Sequence, residues 1–213
     1  ITVFKDMGLV SQVFDEATLT SLRGRLGIGH TRYSTTGASV WHNAQPTFRA
    51  TRNGGLALAH NGNLTNTHEL ESWLRELDPD QRVPEKKTMD STNDTSLVTA
   101  LMSAFGDDPI EQVAMKVLPR LQGAFCLTFM NETTLFAARD PQGVRPLVLG
   151  RLASGWVVAS ETAALDIVGA SFVREIEPGE FIAIDGAGLR SQRFADAKPK
   201  GCLFEYVYLA RPD

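Results

Sequence analysis

Two cysteines in 213 residues are too few for a disulfide framework, and Cys126 and Cys202 lack the close spacing of a metal knuckle. Neither sign of charge is in large excess. With 21 basic against 25 acidic residues, a formal charge of −4 and no basic cluster, the chain offers no field for a phosphate backbone, so nucleic acid is not expected as a partner. No apolar run approaches the ~18 residues of a membrane span, and no basic stretch followed by an apolar segment opens the sequence. A cytoplasmic protein without a membrane partner is therefore expected. The four histidines, His30, His42, His60 and His68, follow no metal-ligand spacing and read as satisfied core or surface imidazoles. Repeats and low-complexity tracts are absent as well.

What is present is an ordinary globular composition, 43% apolar and 22% charged, with no internal change that would mark a domain boundary. β-type segments are read at 25 to 32, 55 to 61, 123 to 130, 133 to 139, 146 to 151, 155 to 160 and 180 to 185. Asn131-Glu132 and Ala153-Ser154 are connections so short that they require antiparallel pairing. Helical spacing of apolar residues appears over 64 to 77, 95 to 105 and 110 to 121, and a fourth helix is expected to begin at Ser160-Glu161. Strand blocks alternating with helical blocks predict layered α+β packing. Asp78 to Asp90 is polar, carries two prolines and reads as a loop. Ile1 to Phe4 reads as a strand already under way, and the sequence stops straight after the aromatic run 204 to 208, so an internal piece of a longer polypeptide is expected.

Three groups of residues suggest chemistry. His60-Asn61-Gly62-Asn63 offers a side-chain amide and a neighbouring backbone N–H, the pair of donors that would stabilise the oxyanion formed when an amide carbonyl is attacked. Taken alone, Asn-Gly is more often a hairpin turn. Arg32, in Thr31-Arg32-Tyr33-Ser34-Thr35-Thr36, could grip a carboxylate through two parallel hydrogen bonds, with neighbouring hydroxyls completing a polar pocket; in isolation it reads as a surface arginine. Asp94 stands before a helical run, where its default role is an N-cap. Together, a cation and an anion suit the carboxylate and ammonium of a free amino acid. Cys126, in an apolar strand, reads as a small buried hydrophobe, and Arg139 to Leu147 as a structural turn in which Asp140 bonds local N–H groups.

The ordered set Val3-Phe4-Lys5-Asp6, Gly29 to Gly37, Asn43-Ala44-Gln45-Pro46, His60 to Asn63, Arg139 to Leu147, Ser160-Glu161-Thr162 and Phe204 to Asp213 resembles the glutamine phosphoribosylpyrophosphate amidotransferase (amidophosphoribosyltransferase) family across essentially the whole chain. The closing segment argues against two rivals of the same fold, glucosamine-6-phosphate synthase and asparagine synthetase. A non-catalytic glutamine-binding module is the rival from another class.

The resemblance implies an N-terminal-nucleophile hydrolase fold, a four-layer sandwich with two mainly antiparallel sheets between helix layers. It implies glutamine hydrolysis by an N-terminal cysteine whose own α-amino group is the base, and transfer of the ammonia to phosphoribosylpyrophosphate, giving phosphoribosylamine at the start of purine synthesis. Asn61 and Gly62 match the oxyanion hole, and Arg32, Thr35 and Asp94 match the glutamine pocket, with Thr95 standing where the family pattern has serine. Residues 1 to 213 would then be a glutaminase domain without its cysteine-bearing start, inactive as given, and without the transferase domain. A homo-oligomer is expected, with Mg2+ in the transferase domain. Cys202 matches a position that ligates a [4Fe-4S] cluster in some members.

Overall fold

A computed structural model describes residues 1–32, 41–51, 54–79, 94–106, 108–201 and 203. Among the described residues nine strands form two sheets. β1 (Thr47–Thr51), β2 (Gly54–Leu64), β3 (Gly123–Met130), β4 (Leu135–Arg139), β8 (Glu180–Asp185) and β9 (Gly188–Arg193) make a six-stranded sheet in that order. β5 (Val148–Leu152) lies between β6 (Gly155–Ala159) and β7 (Ser171–Glu175) in a three-stranded one. Every pairing among the described residues is antiparallel. The two connections read as hairpins are hairpins: Met130 pairs with Leu135, and Leu152 with Gly155 across Ala153-Ser154.

Alternation of side chains across the strands sends two apolar sets in opposite directions. Leu56, Leu58, Phe125, Leu127, Phe129, Phe136 and Phe181 meet α3 (Thr67–Leu77), α4 (Asp94–Ser103) and α5 (Ile110–Val117) through Leu70, Leu74, Leu97, Leu101, Val113 and Val117. Phe136 stacks between Phe129 and Phe181, with centroids 5.1 and 5.8 Å away, so one aromatic row ties β3, β4 and β8 on the helix side. Cys126, Ala137, Ile182 and Ile184 point the other way and close on Leu147, Leu149 and Ile176 of the smaller sheet and its flank. Val148 faces outward onto Leu165 of α6 (Thr162–Val168), the fourth layer. The result is the helix–sheet–sheet–helix sandwich expected.

Boundaries moved where pattern was all the sequence offered. α6 begins at Thr162 rather than at Ser160-Glu161, and neither the Ser160 hydroxyl nor the Glu161 carboxylate caps it; Gly169, at φ +70°, ends it. Short helices α1 (Val10–Val13) and α2 (Glu16–Ser21) and strands β1, β7 and β9 had not been read. Residues 1 to 4 and 25 to 32 are not strands. Among the described residues neither segment has a ladder partner, and Val3, Phe4, Leu26 and Ile28 instead line a cavity of about 820 Å³. The first segment is held by tertiary contacts: Lys5 Nζ donates to Ala44 O at 3.0 Å, and Trp41 Nε1 donates to Lys5 O at 2.8 Å. Most of the loop read at 78 to 90 lies outside the described residues. No described helix is long and apolar enough to cross a membrane.

Candidate active site

Asn61 and Gly62 are not a hairpin turn. They lie inside the paired length of β2, opposite Cys126 and Phe125 of β3. β1 pairs with β2 only as far as Thr47↔Leu58, so beyond Leu58 one edge of β2 has no neighbouring strand among the described residues. Side chains take over there. Gln45 accepts from His60 N–H through Oε1 at 2.7 Å and donates from Nε2 to His60 O at 3.3 Å, as a strand would. Four residues on, Leu64 N–H donates to Asp94 Oδ2 at 3.2 Å.

Gly62 sits between these two attachments, and its polar groups turn to the same open edge because ladder direction alternates with period two. The partner residue agrees: Phe125 donates its N–H to Asp140 Oδ2 at 3.1 Å and accepts from Asp140 N–H at 2.8 Å, so it does not exchange bonds with Gly62. Gly62 has φ +150°, and an added Cβ would lie 2.8 Å from Ala124 C, 2.9 Å from His60 Nε2 and closer still to Ala124 O. Only glycine fits. Asn61, half-buried, falls on the inter-sheet face with Ala57 and Ala59. The Asn61 side chain on the inter-sheet face and the Gly62 N–H at the open edge therefore stand at consecutive positions near one end of β2.

Asp94 opens α4, and its carboxylate reaches beyond that helix. Oδ1 accepts from Thr95 N–H at 2.9 Å, Oδ2 accepts from Leu64 N–H, and His60 Nδ1 stands 3.4 Å from Oδ2. Burial pushes its pKa up, but the hydrogen bond and charge of His60, with the Leu64 and Thr95 N–H groups, outweigh that and hold it below the usual carboxylate range. It is an anion at neutral pH. His60 is a core imidazole, as read, yet not a satisfied one, since Nε2 is buried with no hydrogen-bond partner among the described residues.

Arg32 lines the large cavity with His30, Thr31, Gln45 and Ala57. His30 links this end to the other: burial first, then the charges of His60 and Arg32, push its pKa down to about 4. Charge couples His30 to both Arg32 and His60, and His60 Nδ1 stands 3.4 Å from Asp94, so the four groups form an electrostatic chain. Asn61, Gly62 and Asp94 are not in the cavity's lining, so the cavity reaches the Arg32 end of this chain and stops short of the donor pair. Thr35 and Cys202 lie outside the described residues, and among the described residues no three His, Cys, Asp or Glu side chains gather as a metal site.

Cys126 is buried in β3, with Sγ 3.5 Å from Arg145 O and 3.6 Å from Pro146 O, and serves as core. The Arg139 to Leu147 turn is structural, as read. Asp140 Oδ1 accepts from Gln142 and Gly143 N–H, both at 2.9 Å, while Arg139 donates to Arg145 O, Gly143 O, Ile176 O and Glu175. Its reach was not foreseen: through Phe125 the Asp140 carboxylate helps fix the register that faces Gly62. Gln45 was also passed over, its only signal being its place in Asn43-Ala44-Gln45-Pro46.

The glutamine amidotransferase domain family matches residues 30–167. The chain is 59% identical over 215 residues to the amidophosphoribosyltransferase of Mycobacterium leprae, covering all of this chain and 38% of that protein. It is 47% identical over 220 residues to the amidophosphoribosyltransferase of Synechococcus elongatus, covering all of this chain and 43% of that one. The solved glutamine phosphoribosylpyrophosphate amidotransferase from B. subtilis superposes with a TM-score of 0.83 at 37% identity, over 97% of this chain and 43% of that one. The chain thus spans well under half the length of these relatives.

Proposed function

The chain belongs to the glutamine amidotransferase domain family, and from that premise we propose that it is the glutaminase part of an amidophosphoribosyltransferase. One observation carries the reading. At the open edge of β2, Asn61 and Gly62 follow one another between the attachments made by Gln45 and Asp94, where no neighbouring strand among the described residues takes up the Gly62 N–H.

In this reading Arg32 holds the α-carboxylate of free glutamine and Asp94 its α-ammonium, placing the side-chain amide carbon at the Asn61–Gly62 corner. A thiolate attacks that carbon and charge gathers on the carbonyl oxygen, where the Asn61 amide and Gly62 N–H receive it. The C–N bond breaks, ammonia leaves with the proton taken from the thiol, and water cleaves the thioester to glutamate. Cys126 cannot be the attacking thiol, being sealed in the core. The resemblance puts that cysteine at the mature N-terminus of the complete polypeptide, ahead of Ile1. The ammonia then displaces pyrophosphate from phosphoribosylpyrophosphate in a transferase portion outside residues 1 to 213, as in purine synthesis.

The test is glutamine hydrolysis by the complete polypeptide with phosphoribosylpyrophosphate present. Asn61→Ala is expected to lower kcat by about 10²-fold, the usual effect of deleting one oxyanion donor. Equal rates in native and variant proteins would remove Asn61 from the mechanism. Glutamine binding without turnover would favour the non-catalytic module.

A further inference from the structure

We propose that His60 is a positioning residue that holds Asp94 in place to receive the ammonium group of the substrate amino acid. The inference rests on the function proposed above and adds a residue to it.

The placement is unusual for a histidine. His60 belongs to the helix-facing side of β2, where its neighbours on that face, Leu58 and Leu64, and its partner across the ladder, Leu127, are all buried and apolar. Its side chain is 1% exposed and Nε2 has no partner among the described residues. An orphaned buried polar atom is destabilising, a cost that a leucine at this position would avoid. Stability alone does not account for an imidazole here. Its other nitrogen does have a counterpart, since Nδ1 stands 3.4 Å from Asp94 Oδ2, long for a hydrogen bond and short enough to tighten when ligand binds.

The backbone supports the same role. Gln45 holds both polar groups of His60, so the ring projects from a fixed point on the strand. The next two residues are Asn61 and Gly62. The strand position that aims the oxyanion donors therefore also carries the ring that faces the recognition carboxylate, and the spacing between ammonium site and reacting carbon becomes a property of one strand. Each oxygen of the Asp94 carboxylate accepts one backbone N–H, Oδ1 from Thr95 and Oδ2 from Leu64, and the His60 ring stands against Oδ2 as a further group that limits how the carboxylate can turn.

The test compares two substrates on the complete polypeptide: glutamine and glutaramate, which keeps the amide and the carboxylate but has no ammonium. The readout is the ratio of their kcat/KM values. His60→Leu is expected to lower kcat/KM for glutamine by about tenfold or more while changing glutaramate by less than about threefold, so the ratio collapses. His60→Asn, which can place an N–H where Nδ1 stands, is expected to keep the ratio within about threefold of native. A general loss of packing would slow both substrates alike and leave the ratio unchanged, and that result overturns the proposal. So does a His60→Asn variant no better than His60→Leu. Should His60→Leu not fold, His60→Gln replaces it; Gln puts its N–H at the Nε2 position, and a ratio equal to that of His60→Asn then refutes the role given to Nδ1. A native polypeptide that hydrolyses neither substrate removes the proposed function and this inference together, whereas normal native turnover with an unmoved ratio removes this inference alone.

Discussion

Replacing Gly62 with alanine tests the geometry of the donor pair most directly. The added methyl would enter the space of Ala124 O, lie 2.9 Å from His60 Nε2, and force an L-residue to φ +150°. Backbone strain of this kind costs about 1–3 kcal/mol, and pressing a methyl into a packed neighbour costs about 1–3 more. The neighbour here is the backbone of β3, pinned by Asp140 and by its ladder, so little relief is available. A total near 2–6 kcal/mol corresponds, at about 3 °C per kcal/mol in a chain of this size, to a Tm lower by roughly 6–18 °C. Any displacement that relieves the clash moves Gly62 N–H from the corner it shares with Asn61, so kcat for glutamine hydrolysis should fall by about 10²-fold. Scanning calorimetry and steady-state kinetics on the complete polypeptide read both effects. Gly155→Ala is the control, since nothing lies within 4 Å of a Cβ there and its φ is not in the positive region. A Gly62→Ala variant within about a degree of native Tm and within about threefold of native kcat would refute the reasoning.

Asp140→Asn puts an amide NH2 where one oxygen now accepts a backbone N–H, and is expected to lower unfolding free energy in urea by about 2–4 kcal/mol; an unchanged midpoint would show the turn is held by other bonds. Gln45→Met removes both edge bonds to His60 while keeping the volume, and kcat/KM for glutamine should fall by about tenfold, more than that for glutaramate, with an unchanged circular dichroism spectrum. His30 has a folded pKa of about 4 against an ordinary 6.5, so the unfolded chain takes up its proton first as pH falls. Its contribution is fully present above pH 6.5 and is lost between there and pH 4, by at most about 3 kcal/mol. His30→Gln should flatten the urea midpoint over that window relative to native, while the depressed carboxylates Asp94 and Glu180 titrate in both proteins; parallel curves would discount His30.

Sequence alone determined the elements whose signal is local. The hairpins at Asn131-Glu132 and Ala153-Ser154 follow from connection length, and α3, α4 and α5 from the spacing of Leu70, Leu74, Leu97, Leu101, Val113 and Val117. The Asp140 turn was legible for the same reason, because its carboxylate bonds the N–H groups two and three residues away. Only the tertiary structure decided the rest. Apolar residues at 1 to 4 and 25 to 32 have the composition of strands, but a strand exists only where a partner supplies its hydrogen bonds, and here their side chains line a cavity instead. Asn61-Gly62 reads as a turn until β1 is seen to stop at Thr47 and leave an edge open. Gln45 and His60 had no signal of their own, because a side chain that stands in for a missing strand, or a ring that faces a carboxylate 34 residues away, acquires its meaning from positions that folding brings together.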